Sequence, residues 1–157
     1  MGALMVPLAV TLVPNYLILR RFHMINTYWA IIVPGFSEPF GVFLMTQFFK
    51  TLPKEYEEAA RVDGASRLRI FWQVMLPLAK PALLALAIMK FRDLWNDFLY
   101  PLIFLNSIDM YTLPLGLNLL KSQYYTYWNL VLAGAMFSAV PVIIVFILLQ
   151  RHLTVSY

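Results

Sequence analysis

The sequence predicts an all-α membrane protein, a polytopic helix bundle of about four spans with one polar helical segment between the second and third. Three observations carry that prediction. The 157 residues are 61% hydrophobic and only 13% charged, where a soluble domain is nearer a quarter charged. Several apolar runs approach or reach the ~20 residues needed to cross ~30 Å of hydrocarbon. Ten prolines and 16% aromatic residues are well tolerated in or beside membrane helices.

The spans follow in order. The first is expected over 2–19, closed by Arg20 and Arg21. It is apolar almost from its first residue, without a basic leader or a small-residue cleavage pattern, so it reads as a span entered directly and not as a signal peptide. The second, over 28–49, is interrupted by Pro34, Gly35, Glu38, Pro39 and Gly41. The third runs over 78–100. The fourth covers 130–149 and is closed by Gln150, Arg151 and His152. Lys50, Lys54, Arg61, Arg67, Arg69, Lys80 and Arg151 lie on one side of this arrangement, and Arg20, Arg21 and Lys121 on the other. Lysine and arginine favour the cytoplasm, so the 53–76 segment and the C-terminal end are expected there, and the 106–129 loop outside. A net charge of +4, gathered in short loops, reads as topology and not as nucleic-acid binding. With no cysteine, disulfides and thiolate metal sites are excluded.

Residues 55–77, EYEEAARVDGASRLRIFWQVMLP, hold seven of the twenty Lys, Arg, Asp and Glu residues. Pro53 suits a first helical turn. Glu55, Glu57 and Glu58 suit the positive end of a helix dipole. Gly64 can take the left-handed conformation that ends a helix, and Ser66 can cap a second one. The local expectation is helix, turn, helix, membrane. On these features alone the segment could lie on lipid headgroups, with Arg67 and Arg69 beside Phe71 and Trp72.

The spacing adds more. Glu58-Ala59-Ala60, three residues, Gly64, nine residues, then Val74-Met75-Leu76-Pro77 resembles the EAA loop of bacterial ABC-importer permeases. That pattern is Glu-Ala-Ala, three residues, Gly, nine residues, Ile-x-Leu-Pro. Val74 stands for the Ile, and Asp63 matches the usual Asp before the Gly. Residues 95–103, from Trp95-Asn96-Asp97 to Ile103, and 111–117, Tyr111 to Gly116-Leu117, resemble elements of the carbohydrate-uptake branch. So do Pro141 and Gln150-Arg151. The likeness runs the whole chain. It corresponds to the later four of the six spans of the maltose-type second permease subunit, without the Gly-rich tail, and so implies a chain truncated at both ends.

The resemblance implies a type I ABC-importer permease fold and a multi-pass subunit in the cytoplasmic membrane of a bacterium or archaeon. It implies a pair of cytoplasmic ABC ATPase subunits, a homologous second permease, an extracytoplasmic solute-binding protein and surrounding lipid as partners. It makes 53–76 the coupling helix segment, with Glu58, Ala59, Ala60, Asp63, Gly64, Phe71, Trp72 and Pro77 as ATPase-coupling residues. ATP and Mg would be held by the partner, since this chain has no Gly-x-x-x-x-Gly-Lys-Ser/Thr loop to hold phosphate. No catalytic residue, metal or bound cofactor is expected in this chain. His23 and His152 read as polar residues at opposite membrane boundaries.

Charges inside spans cost about 2.5–3.5 kcal/mol each at the bilayer centre. Glu38, Asp93, Asn96 and Asp97 should therefore face protein or water, as should Lys90 and Arg92. Lys90 and Asp93 are spaced to pair on one helix face. Two readings stand: a polar pathway for a polyhydroxy solute, or internal pairing between spans. Tyr111, Tyr124, Tyr125, Tyr127 and Trp128 in the 106–129 loop fit either a surface facing the binding protein, as in the family, or an aromatic belt at the bilayer interface. The function implied is carbohydrate import. The alternatives are a permease for a polyol or glycerol phosphate, and a non-transporting remnant or membrane scaffold.

Overall fold

The computed structural model describes residues 6–36, 39–121 and 125–153. Its helices are α1 (Leu8–Arg21), α2 (Trp29–Gly35), α3 (Pro39–Thr51), α4 (Glu55–Val62), α5 (Arg67–Ile70), α6 (Leu76–Leu78), α7 (Lys80–Trp95), α8 (Leu99–Phe104), α9 (Leu113–Asn118) and α10 (Trp128–Leu153). A π-helical turn, Phe71–Met75, joins α5 to α6. Among the described residues there is no strand, only one isolated bridge between Lys121 and Thr126. The architecture is an all-α bundle.

α10 is the longest element, 26 residues or about 39 Å at 1.5 Å per residue, enough to cross a bilayer. Residues 29–51 are also long and apolar enough to cross. The 67–95 stretch qualifies only as a bent pair of helices, which meet at 69°. The bend falls at Ala79, which is fully buried. It has a local cause. Pro77 and Pro81 flank Ala79, and each lacks the N–H of a continuous ladder and crowds the carbonyl four residues back.

α7 is the central strut. It packs on α3 and on α10. A Cβ on Gly41 or Gly35 would stand 3.5 Å from Leu86 or 3.7 Å from Leu94 respectively, so small residues let α7 close on the neighbouring chain. The 78–100 stretch, expected as one span, is two helices: α7 stops at Trp95 and α8 begins at Leu99. The joint is closed by side chains. The Asn96 amide donates to the Arg92 carbonyl at 2.8 Å. The Asp97 carboxylate accepts the Leu99 and Tyr100 amides at 3.0 and 3.4 Å. Trp95 Nε1 donates to the Ser138 carbonyl at 2.9 Å, one turn before Pro141 in α10, and ties α7 to that helix.

The best-buried cluster joins α1, α2 and α8 through Leu19, Ala30 and Phe104, with Tyr16 and Tyr100 against Phe104. Beside it Asn26 clasps two loops. Asn26 takes a left-handed backbone, φ 59°, which asparagine tolerates better than most residues. Its side-chain oxygen accepts the Asn106 and Ser107 amides at 2.8 and 2.9 Å, and its amide donates to Ser107 Oγ at 2.7 Å. Its backbone N–H reaches the Phe104 carbonyl at 2.8 Å.

α9 seats on α10 by inserting Leu117 at Gly134. A Cβ built on Gly134 would overlap the Leu117 side chain, so any larger residue there obliges Leu117 to shift. Gly134→Ala is expected to lower the unfolding temperature of the purified protein in detergent, by an overpacking cost of about 1–3 kcal/mol. Adding Leu117→Ala should recover most of that loss. A Gly134→Ala protein as stable as the parent would mean that Leu117 turns aside without cost and that the fit at Gly134 does not hold α9 on α10.

Candidate functional site

The 53–76 segment folds as helix, turn, helix. α4 begins where Glu58 N–H reaches the Lys54 carbonyl at 2.9 Å, so Pro53 stands just outside the first turn. Three glutamates occupy that turn, opposite in sign to the helix end they cover. Glu57 pairs with Arg61 one turn on, in the favourable order of acid before base, though such an exposed pair adds only about 0.3–0.5 kcal/mol.

α4 ends in a Schellman motif. Gly64 N–H donates to the Arg61 carbonyl at 3.1 Å and Ala65 N–H to the Ala60 carbonyl at 3.0 Å. Gly64 has φ +77°, the left-handed value that the motif requires and that glycine adopts without strain. Nothing lies within 4 Å of a Cβ built there. Within this chain, then, Gly64 is required for its backbone and leaves open space outside the turn. Ser66 has extended backbone, and its hydroxyl accepts the Arg69 amide at 3.4 Å, the cap expected from the sequence.

After α5 the chain widens into the π turn, then enters α6 at Pro77. A π turn puts one extra residue into the helix. It takes up the register next to a proline that cannot donate to Gln73. Phe71 packs edge-on against Trp72 at 5.6 Å between ring centroids, and reaches Phe49 at the end of α3 at 6.4 Å. Arg69 Nε donates to Gln73 Oε1 at 2.8 Å.

Several large apolar side chains of this unit are exposed among its charged ones. Val62 is 87% exposed, Leu68 73% and Trp72 63%, with Tyr56 at 50%. Glu58, Ala59, Asp63, Gly64 and Pro77 are exposed and Ala60 is half-buried. The structure thus gathers Glu58, Ala59, Ala60, Asp63, Gly64, Phe71 and Trp72 within one short helical unit, with Pro77 at its exit.

The second set is more dispersed. Glu38 lies outside the described residues. Asp93 accepts from Arg92, its neighbour, at 2.9 and 3.1 Å. Arg92, Asp93 and Asn96 lie on one exposed stripe of α7 with Met89. Asn96 and Asp97 are engaged at the α7–α8 joint, as described above. Sequence reasoning missed the Trp95 anchor and the Asn26 clasp. It also missed Gly134, for which the small-residue run Ala133-Gly134-Ala135 was an available signal.

Residues 3–154 match the family model described as binding-protein-dependent transport system inner membrane component. The chain is 41% identical to the arabinooligosaccharides transport system permease protein AraQ of Halalkalibacterium halodurans, over 95% of this chain and 53% of that one. It is 35% identical to the sn-glycerol-3-phosphate transport system permease protein UgpE of Yersinia enterocolitica, over 94% and 53% respectively. Among solved structures it is similar to a bacterial ABC transporter involved in the import of the acidic polysaccharide alginate. There the TM-score is 0.76 at 27% identity, over 91% of this chain and 56% of that one. The chain spans about half the length of the curated relatives it matches.

The turn geometry carries its own test. Gly64→Ala forces a left-handed alanine, at about 1 kcal/mol, and Ser66→Ala removes a cap of similar worth. Each should speed hydrogen exchange locally by about five-fold, at the Gly64 and Ala65 amides for the first and at Arg69 for the second. Unchanged exchange at Ala65 in Gly64→Ala would contradict the Schellman turn.

Proposed function

The chain belongs to the binding-protein-dependent transport system inner membrane components, and from that premise we propose that it is a permease subunit of an ATP-driven importer, coupled to its ATPase through residues 53–76. The observation that carries the proposal is the exposure of Val62, Leu68 and Trp72 among charged side chains on the helix–turn–helix, on a backbone whose turn and caps are already satisfied. Large exposed apolar side chains on an ordered unit mark a surface made to meet something.

The charge pattern favours a protein over lipid headgroups. Between Lys54 and Arg69 there are four acidic and four basic residues, and the first helix is net acidic. Adsorption to an anionic membrane surface calls for a basic face. In the proposed complex Leu68, Phe71 and Trp72 are apolar anchors. Glu58 and Asp63 pair with basic groups and fix the docking register. Ala59, Ala60 and Gly64 allow the partner close, and Pro77 sets the exit into α7. ATP and Mg sit on the ATPase pair. In this reading 53–76 and the C-terminal end lie in the cytoplasm and the 106–129 loop faces a solute-binding protein.

The solute proposed is a carbohydrate, supported by the relatives named for arabinooligosaccharides and alginate. Glycerol phosphate is the second reading, supported by the relative named for it. Glu38, Asp93, Asn96 and Asp97 are proposed to lie along the pathway, shared with a homologous second permease. The exposed α7 stripe supports this for Asp93 and Asn96, because an ion pair and an amide facing lipid would be costly. A non-transporting scaffold is the remaining alternative.

Two outcomes are expected in the full-length protein. Gly64→Val should abolish copurification with the ATPase and uptake together, while the protein still inserts in the membrane. Retention of both would end the coupling reading. Asp93→Asn should leave ATPase association intact and lower uptake several-fold. Unchanged uptake would remove Asp93 from the pathway.

A further inference from the structure

Residues 53–76 hang between two helices, since the chain enters from α3 and leaves into α7. On the α7 side the connection is helical, through the π turn and α6. The 69° bend at Ala79 is set by Pro77 and Pro81, with Ala79 itself fully buried. On the α3 side the covalent link is residues 52–54, which are not helical. A load on the outer surface would flex that link and leave α3 behind.

A ring contact bridges the gap. Phe49, in the last turn of α3, meets Phe71, the first residue of the π turn, with ring centroids 6.4 Å apart and planes inclined at 48°. That separation lies within the 4.5–7 Å of interacting aromatic pairs. The contact closes the neck of a loop whose tip is Glu58 to Leu68. Phe49 is half-buried, and Phe71 is 41% exposed because Trp72 and Phe49 cover only part of it. The π turn matters here. One extra residue in a helix rotates the turns on its N-terminal side by about 100° relative to those on its C-terminal side. That re-phasing sets Phe71 toward α3 while Pro77 and Ala79 keep the register of the bend.

We propose that Phe49 is a positioning residue for energy coupling, acting through Phe71. It makes α3 move with the 53–76 segment, so that a displacement imposed by the ATPase enters two spans and not α7 alone. The inference rests on the coupling role proposed above, but it concerns transmission and not docking.

The test uses the complete transporter, reconstituted with its ATPase subunits and binding protein, with uptake and ATP hydrolysis measured together. In Phe49→Ala the ATPase should copurify as before. Solute moved per ATP should fall about two- to ten-fold, the span expected of one aromatic pair. Phe49→Tyr should restore the ratio. A Phe49→Ala transporter with an unchanged ratio would overturn the inference, and so would one in which uptake and hydrolysis fall in proportion. Phe49→Ala that loses the ATPase would overturn it as well, since Phe49 would then serve docking. The two proposals fail separately. If Gly64→Val keeps the ATPase, the coupling reading is lost. If Gly64→Val loses it and Phe49→Ala keeps the uptake ratio, only the role of Phe49 is lost.

Discussion

In hydrocarbon no water is at hand to take up a backbone N–H or C=O that a helix leaves open, and each such group left alone costs several kcal/mol. A membrane chain that bends must therefore close its own breaks. This one has ten prolines and interrupts its helices repeatedly, and a small number of polar side chains closes the gaps. Asn96 and Asp97 close the two ends of the α7–α8 joint. Asn26 closes the loops beside α1 and α8. Trp95 takes a carbonyl in the turn before Pro141. None of these groups needs catalysis or a ligand to account for its placement.

That economy makes the two ends of α7 differ. At the Trp95 end, Asn96 and Asp97 are hydrogen-bonded to backbone groups and α7 is tied to α10. At the Lys80 end, the backbone of 55–70 is satisfied by Gly64 and Ser66, while Val62, Leu68 and Trp72 remain uncovered. A rigid backbone carrying uncovered side chains is pre-organised, so little ordering cost remains on docking. α7 thus runs from an anchored end to an end poised for a partner, with a proline-set bend between that end and the docking surface. This is the geometry expected of a lever in the proposed importer.

The parts legible in the sequence are those with local physical causes. The all-α membrane class follows from composition, and the helix–turn–helix from Glu55, Gly64 and Ser66, whose signals lie within four residues of their effects. Features that join distant segments were not legible. Asn26 meets Ser107 across 81 positions, and Trp95 meets Ser138 across 43; no periodicity marks such pairs. The end of α7 at Trp95 was hidden for a related reason. Polar residues, Lys90, Arg92 and Asp93, already stand before it, and Asn96 and Asp97 read as polar groups to be shielded when they also serve as caps. The Arg92 partner of Asp93 was not legible, because helical spacing draws the eye to residues three and four apart and not to the adjacent guanidinium.

The central claim is that residues 53–76 meet an ATPase and not a lipid surface. These 157 residues hold no cysteine, so none among them competes with a single Leu68→Cys that carries a photo-cross-linker. Irradiation of membranes holding the complete transporter is predicted to join Leu68→Cys to the ATPase subunit. Cross-links to lipid alone, with the ATPase present and active, would contradict the account.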